Sequence, residues 1–176
     1  MVSLVNSRNS TANTTAIQRL ARAIALSQGQ FSLLLLCCNS VTRQQQILSL
    51  LKEFSAADIK ELVVPASAET LYTVISNKLD SIKPEALMVR GLESVDQINQ
   101  LIISTNLMRD EFPKQFDFPL MLWVNDEILR KLVWLAPDLK DWAASTIRFD
   151  VPDYHFHNSS NHIAPVPSYS SKSHRH

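Results

Sequence analysis

Apolar residues gather in five short runs: Phe31 to Cys38, Ile59 to Val64, Ala86 to Val89, Leu120 to Val124 and Thr146 to Phe149. Runs of this kind, read as continuous apolar stretches, predict parallel strands buried on both faces. Between them the apolar positions recur every three or four residues. Ile47, Leu48, Leu50, Leu51 and Phe54 do so in 44–54, Leu71, Val74, Ile75 and Leu79 in 68–82, and Ile98, Leu101, Ile102 and Met108 in 95–112. An earlier helix is predicted from Thr15, with Ile17, Leu20, Ala21, Ile24 and Ala25 on one side and Gly29 as its stop. Parallel strands need long, usually helical, crossovers, so the alternation predicts a three-layer α/β/α fold around a five-stranded, mainly parallel sheet.

Local signals divide the chain in the same way. Ser94 with Gln97 three residues on reads as a capping box, and Asn125 followed by Asp126 and Glu127 places acids in a helix's positive first turn. Pro137 is expected to end the helix that begins there, and Pro65 and Pro84 fall at strand ends. Residues 1–14 are rich in Ser, Asn and Thr and are expected to be disordered. Residues 15–151 form the predicted domain, and residues 152–176, rich in His and Ser, a second disordered segment. No repeat of 20 to 50 residues is visible, on the scale that repeat arrays use.

Composition narrows the chemistry. Lys plus Arg and Asp plus Glu number 17 each, so the basic footprint of a nucleic-acid binder is missing and no such partner is expected. The longest apolar run is far short of the roughly 20 residues that cross a bilayer, and no secretory leader pattern opens the chain. A cytoplasmic protein with no membrane partner is expected. Cys37 and Cys38 are adjacent and have no other cysteine to pair with, so both read as small core residues. All five histidines, from His155 to His176, lie beyond the predicted core, which leaves those cysteines without a base and the histidines without a scaffold for a metal. No Gly-x-Ser-x-Gly elbow occurs, and Gly29 and Gly91 are the only glycines.

Several segments together carry a family resemblance. They are Gln30-Phe31-Ser32-Leu33 leading to Cys38-Asn39, Val89-Arg90-Gly91-Leu92-Glu93, Asn106-Leu107-Met108-Arg109-Asp110, and Leu122-Trp123-Val124 followed by Ala136-Pro137-Asp138-Leu139-Lys140-Asp141-Trp142. Over Ile17 to Phe149 the chain resembles a P-loop ATPase core of the additional-strand type. More narrowly it resembles the ATPase-like N-terminal domain of large bacterial STAND signalling proteins, where such a domain precedes tetratricopeptide or WD repeats.

The departures from that pattern set the functional expectation. A P-loop uses Gly-x-x-x-x-Gly-Lys-Ser/Thr so that backbone amides, a lysine and a hydroxyl surround phosphate and magnesium. Here the same stretch, Cys38-Asn39-Ser40-Val41-Thr42-Arg43-Gln44-Gln45, has neither glycine nor lysine. Where the resemblance implies a metal-holding acid at the end of the third strand stands Arg90, with Glu93 three residues later and expected to pair with Arg90 or cap the turn at Gly91. Asn106 and Arg109 resemble the positions that sense the terminal phosphate. The expected function is therefore a non-catalytic regulatory or interaction module without cofactor, partnered by a protein or by repeat domains of a larger assembly. The alternative is a nucleotide switch or weak NTPase that holds ATP and Mg through Asn39, Ser40, Thr42, Arg43, Glu93, Asn106 and Arg109. Of the three tryptophans, Trp123 is expected in the core, and Trp134 and Trp142 are expected as partner-binding anchors.

Overall fold

The computed structural model of the protein describes residues 2–149, with side chains described from residue 13 onward. The elements in chain order are α1 (Val2–Leu26), β1 (Ser32–Cys37), α2 (Val41–Phe54), β2 (Ile59–Val63), α3 (Leu71–Leu79), β3 (Ala86–Arg90), α4 (Ile98–Leu107), α5 (Phe112–Gln115), β4 (Pro119–Val124), α6 (Asp126–Leu135), α7 (Pro137–Trp142) and β5 (Ser145–Arg148). Single 3-10 turns at Leu92–Ser94 and Arg109–Glu111 precede α4 and α5.

The five strands form one sheet in the order β2-β3-β4-β1-β5, and every pairing is parallel. Sequence explains the order. Leu33 to Cys37 of β1, all of β4 and Ala86 to Val89 of β3 are buried, as their unbroken apolar runs require. Strands β2 and β5 carry Lys60, Glu61 and Arg148 and alternate between covered and uncovered positions, which suits the two edges. Alternate residues of each strand then serve two separate cores. Leu34, Leu36, Met88, Met121 and Trp123 meet α1 and α2 through Ile17, Leu20, Ile24, Ile47 and Leu51. Leu35, Val89, Leu120 and Leu122 meet the other layer, through Ile75 of α3, Leu101 of α4, Ile128 of α6 and Leu139 of α7. The three-layer α/β/α arrangement is the predicted one.

Boundaries differ in three places. Helix α1 begins at Val2, upstream of the start expected at Thr15. Ser94 lies in the 3-10 turn, and α4 starts after Gln97 with no side-chain cap, so the expected capping box does not form. The stretch 95–112 is broken after Leu107, because a 3-10 turn at Arg109–Glu111 lets Phe112 and Phe116 drop into the core. Pro137 ends α6 as expected but also opens α7, where proline is favoured at the first helical position. The segment 150–176, including its histidines, lies outside the described residues.

Candidate functional site

In doubly wound sheets, ligands bind at the carboxyl ends of the strands. Here β1 stops at Cys37 and α2 starts at Val41, so only Cys38, Asn39 and Ser40 link them. The Cys38 N–H donates to the Val124 carbonyl at 2.9 Å, which extends the sheet by one bond and holds the turn flat against β4. Ser40 is the N-cap of α2: its hydroxyl accepts from the Arg43 N–H at 3.2 Å. The buried Gln44 amide donates back to the Cys38 carbonyl at 3.2 Å and closes the turn from behind.

Asn39 points to the neighbouring turn, at the head of α6. Its amide donates to Asp126 Oδ2 at 2.8 Å, and its carbonyl accepts the Asp126 N–H at 2.9 Å. The other carboxylate oxygen, Oδ1, accepts from Arg148 Nη1 of the edge strand at 2.7 Å and from the Cys37 thiol at 3.5 Å. The bonds from Asn39 and then Arg148 lower the Asp126 pKa to about 2. Burial, partly offset by Arg148, pushes the Cys37 thiol up to about 11, and burial raises Cys38 as well, so neither is a ready nucleophile at neutral pH. Asn125 fixes this corner by capping α6, accepting the Ile128 N–H at 2.8 Å.

The other candidates are scattered. Thr42 is exposed on α2, and Arg43 reaches Gln46 at 3.4 Å while its buried Nε has no hydrogen-bond partner. Arg90 pairs with Glu61 at 3.7 Å and not with Glu93, because the parallel register sets Val63 beside Arg90 and so brings Glu61 to the same face of β2. Glu93 is exposed on the 3-10 turn that follows Gly91. Gly91 itself holds the sharp exit from β3 at φ 90°, and a Cβ there would lie 3.2 Å from Val63 Cγ1.

Asn106 and Arg109 lie at the opposite end of the sheet. Helix α4 follows the carboxyl end of β3 and runs back to where β4 begins, so its last turn is remote from the β1–α2 turn. There the Asn106 carbonyl oxygen accepts the Leu139 N–H at 2.9 Å, and Arg109 donates to the Asn106 backbone carbonyl at 2.7 Å and lies 3.7 Å from Asp138. Both residues tie α4 to α7. The seven nucleotide candidates are therefore not brought together into one site.

Of the tryptophans, Trp123 is 1% exposed and contacts Phe149 with ring centroids 5.6 Å apart. Trp134 is 83% exposed on α6. Trp142 is less open, 38% exposed with one face against Phe31 at 5.4 Å, at the margin of a cluster that includes Phe112. Sequence reasoning missed Asp126 and Arg148 as partners of the β1–α2 turn. They stand 87 and 109 positions from Asn39, so no local pattern could connect them.

Fold and turn geometry define an α/β domain with a five-stranded, all-parallel sheet in which three residues join β1 to α2. No family model matches the chain, and no curated protein matches it. Among solved structures, the chain is similar to the ORC2 protein of Aeropyrum pernix in ADPNP–ADP complexes, with 15% identity and a TM-score of 0.49 over 75% of this chain and 46% of that one. The ADP form of the same protein gives 13% identity and a TM-score of 0.46 over 78% and 47%. The RuvB Holliday junction branch migration motor of Thermotoga maritima gives 15% identity and a TM-score of 0.41 over 83% and 44%. This chain spans less than half the length of each. Among the described residues, no helix is long and apolar enough to cross a membrane.

Proposed function

We propose that the protein is a non-catalytic, ATPase-like module of a bacterial signalling system that acts by docking to another protein or to repeat domains of a larger assembly, with no nucleotide held. The observation that carries this reading is the mutual engagement of Asn39, Asp126 and Arg148 beside the head of α2. A triphosphate there would displace formed hydrogen bonds and would find neither glycine amides nor a lysine. The engagement of Arg90 with Glu61, and of Asn106 and Arg109 with α7, supports the same reading.

One observation favours the alternative, a nucleotide switch or weak NTPase at this turn: the Arg43 Nε is buried without a partner near the start of α2. Thermal stability with ATP and magnesium separates the two. A ligand of the folded state at 100 times its Kd adds about 2.7 kcal/mol, which a melting scan resolves. The docking reading expects no shift at millimolar nucleotide. A shift that Arg43→Ala abolishes overturns it.

A further inference from the structure

We infer that the groove along the outer side of α6 receives an acidic segment of a protein partner bearing a large apolar side chain, an inference that rests on the docking function proposed above. The groove is lined by Asp126, Leu129, Arg130, Val133, Trp134 and Arg148 and has a volume of about 530 Å³. From Asp126 to Trp134 it follows the helix for about 12 Å at 1.5 Å per residue, the length of three or four extended residues.

Its floor is not core. Helix α6 buries Ile128 and Leu132 toward the sheet, which leaves Val133 51% and Trp134 83% exposed on the far side. A tryptophan so open to water is the kind of anchor that carries binding energy once a partner covers it. The charge decides what covers it. The Asp126 carboxylate is already bonded to Asn39 and Arg148, so those two opposite charges offset each other. Arg130 is exposed and has no ion pair among the described residues, which gives the groove one uncompensated positive charge. A small free anion would satisfy Arg130 and leave Trp134 and Val133 in water. A peptide carboxylate next to a Leu or Phe side chain meets both requirements.

The test uses the full chain and a fluorescein-labelled peptide of sequence Glu-Asp-Leu-Phe-Glu-Asp, with Gln-Asn-Leu-Phe-Gln-Asn as its neutral counterpart, followed by anisotropy at about 50 mM salt, where charge is weakly screened. The acidic peptide is expected to bind with sub-millimolar Kd. Binding weakens about fivefold or more with Trp134→Ala, with Arg130→Gln and with the neutral peptide, at an unchanged melting temperature. No binding, equal binding of both peptides, or self-association of the chain that Trp134→Ala removes overturns the inference. If Trp134→Ala lowers the melting temperature, Arg130→Gln read against the neutral peptide decides alone. Failure here without stabilisation by ATP sinks this groove and leaves docking elsewhere in place, whereas stabilisation by ATP sinks the docking reading itself.

Discussion

The turn after β1 and the outer side of α6 meet at Asp126, yet they treat their chemical groups in opposite ways. In the turn, Asn39, Ser40 and Gln44 each contact a neighbouring group, and the carboxylate is held on both oxygens. On α6, a tryptophan and an arginine face water. A ligand entering the turn must first break bonds that the fold already makes, whereas Arg130 and Trp134 on α6 make no hydrogen bond or ion pair among the described residues. The turn that the family resemblance singles out is thus the harder place to bind, and the region without any motif the easier one.

Four measurements break or sharpen this contrast. The largest effect belongs to Trp123→Ala, which empties a site in the centre of β4 and is expected to cost about 3–5 kcal/mol in urea unfolding. An unchanged midpoint would remove Trp123 from the core. Next, Asn39→Ala takes a donor from the Asp126 carboxylate and an acceptor from its N–H, at a cost of about 1 kcal/mol, while Thr42→Ala on the exposed side of α2 stays near zero. Equal effects of the two would mean that the turn is not closed by Asn39. A smaller effect follows from titration. Asp126 is lowered from 3.8 to about 2, so its contribution is present above about pH 4 and is lost as the pH falls toward 2. The wild-type melting temperature should therefore drop more between pH 4 and pH 2 than that of Asp126→Asn. The smallest is Trp134→Ala, expected within about 0.5 kcal/mol of wild type in the same urea experiment. A loss near that of Trp123→Ala would make Trp134 structural and end the contrast.

What was legible in the sequence follows from the range of each interaction. The apolar runs of β1, β3 and β4 announced strands covered on both faces, whereas β2 and β5, expected to be covered in the same way, carry Lys60, Glu61 and Arg148 and lie at the edges. Asn125 announced the start of α6, because a cap and its helix are sequence neighbours. The break of 95–112 after Leu107 was not legible: it depends on where Phe112 and Phe116 find the aromatic cluster around Tyr72. In the site, the missing glycines were visible, but the carboxylate beside the turn was not, since Asp126 and Arg148 are joined to it only by the sheet. Pairing of Glu93 with Arg90 was the natural local guess. Strand register gave Arg90 to Glu61 instead.

The sheet's two margins have a consequence for how a second polypeptide can approach. Strand β5 is four residues long, and β2 carries opposite charges at Lys60 and Glu61, so neither offers the long, flat, apolar ribbon on which an incoming chain extends a sheet through main-chain bonds. A polypeptide docking as proposed would then be read out by side chains on a helix, a mode in which one substitution can change the choice of companion while the architecture stays the same.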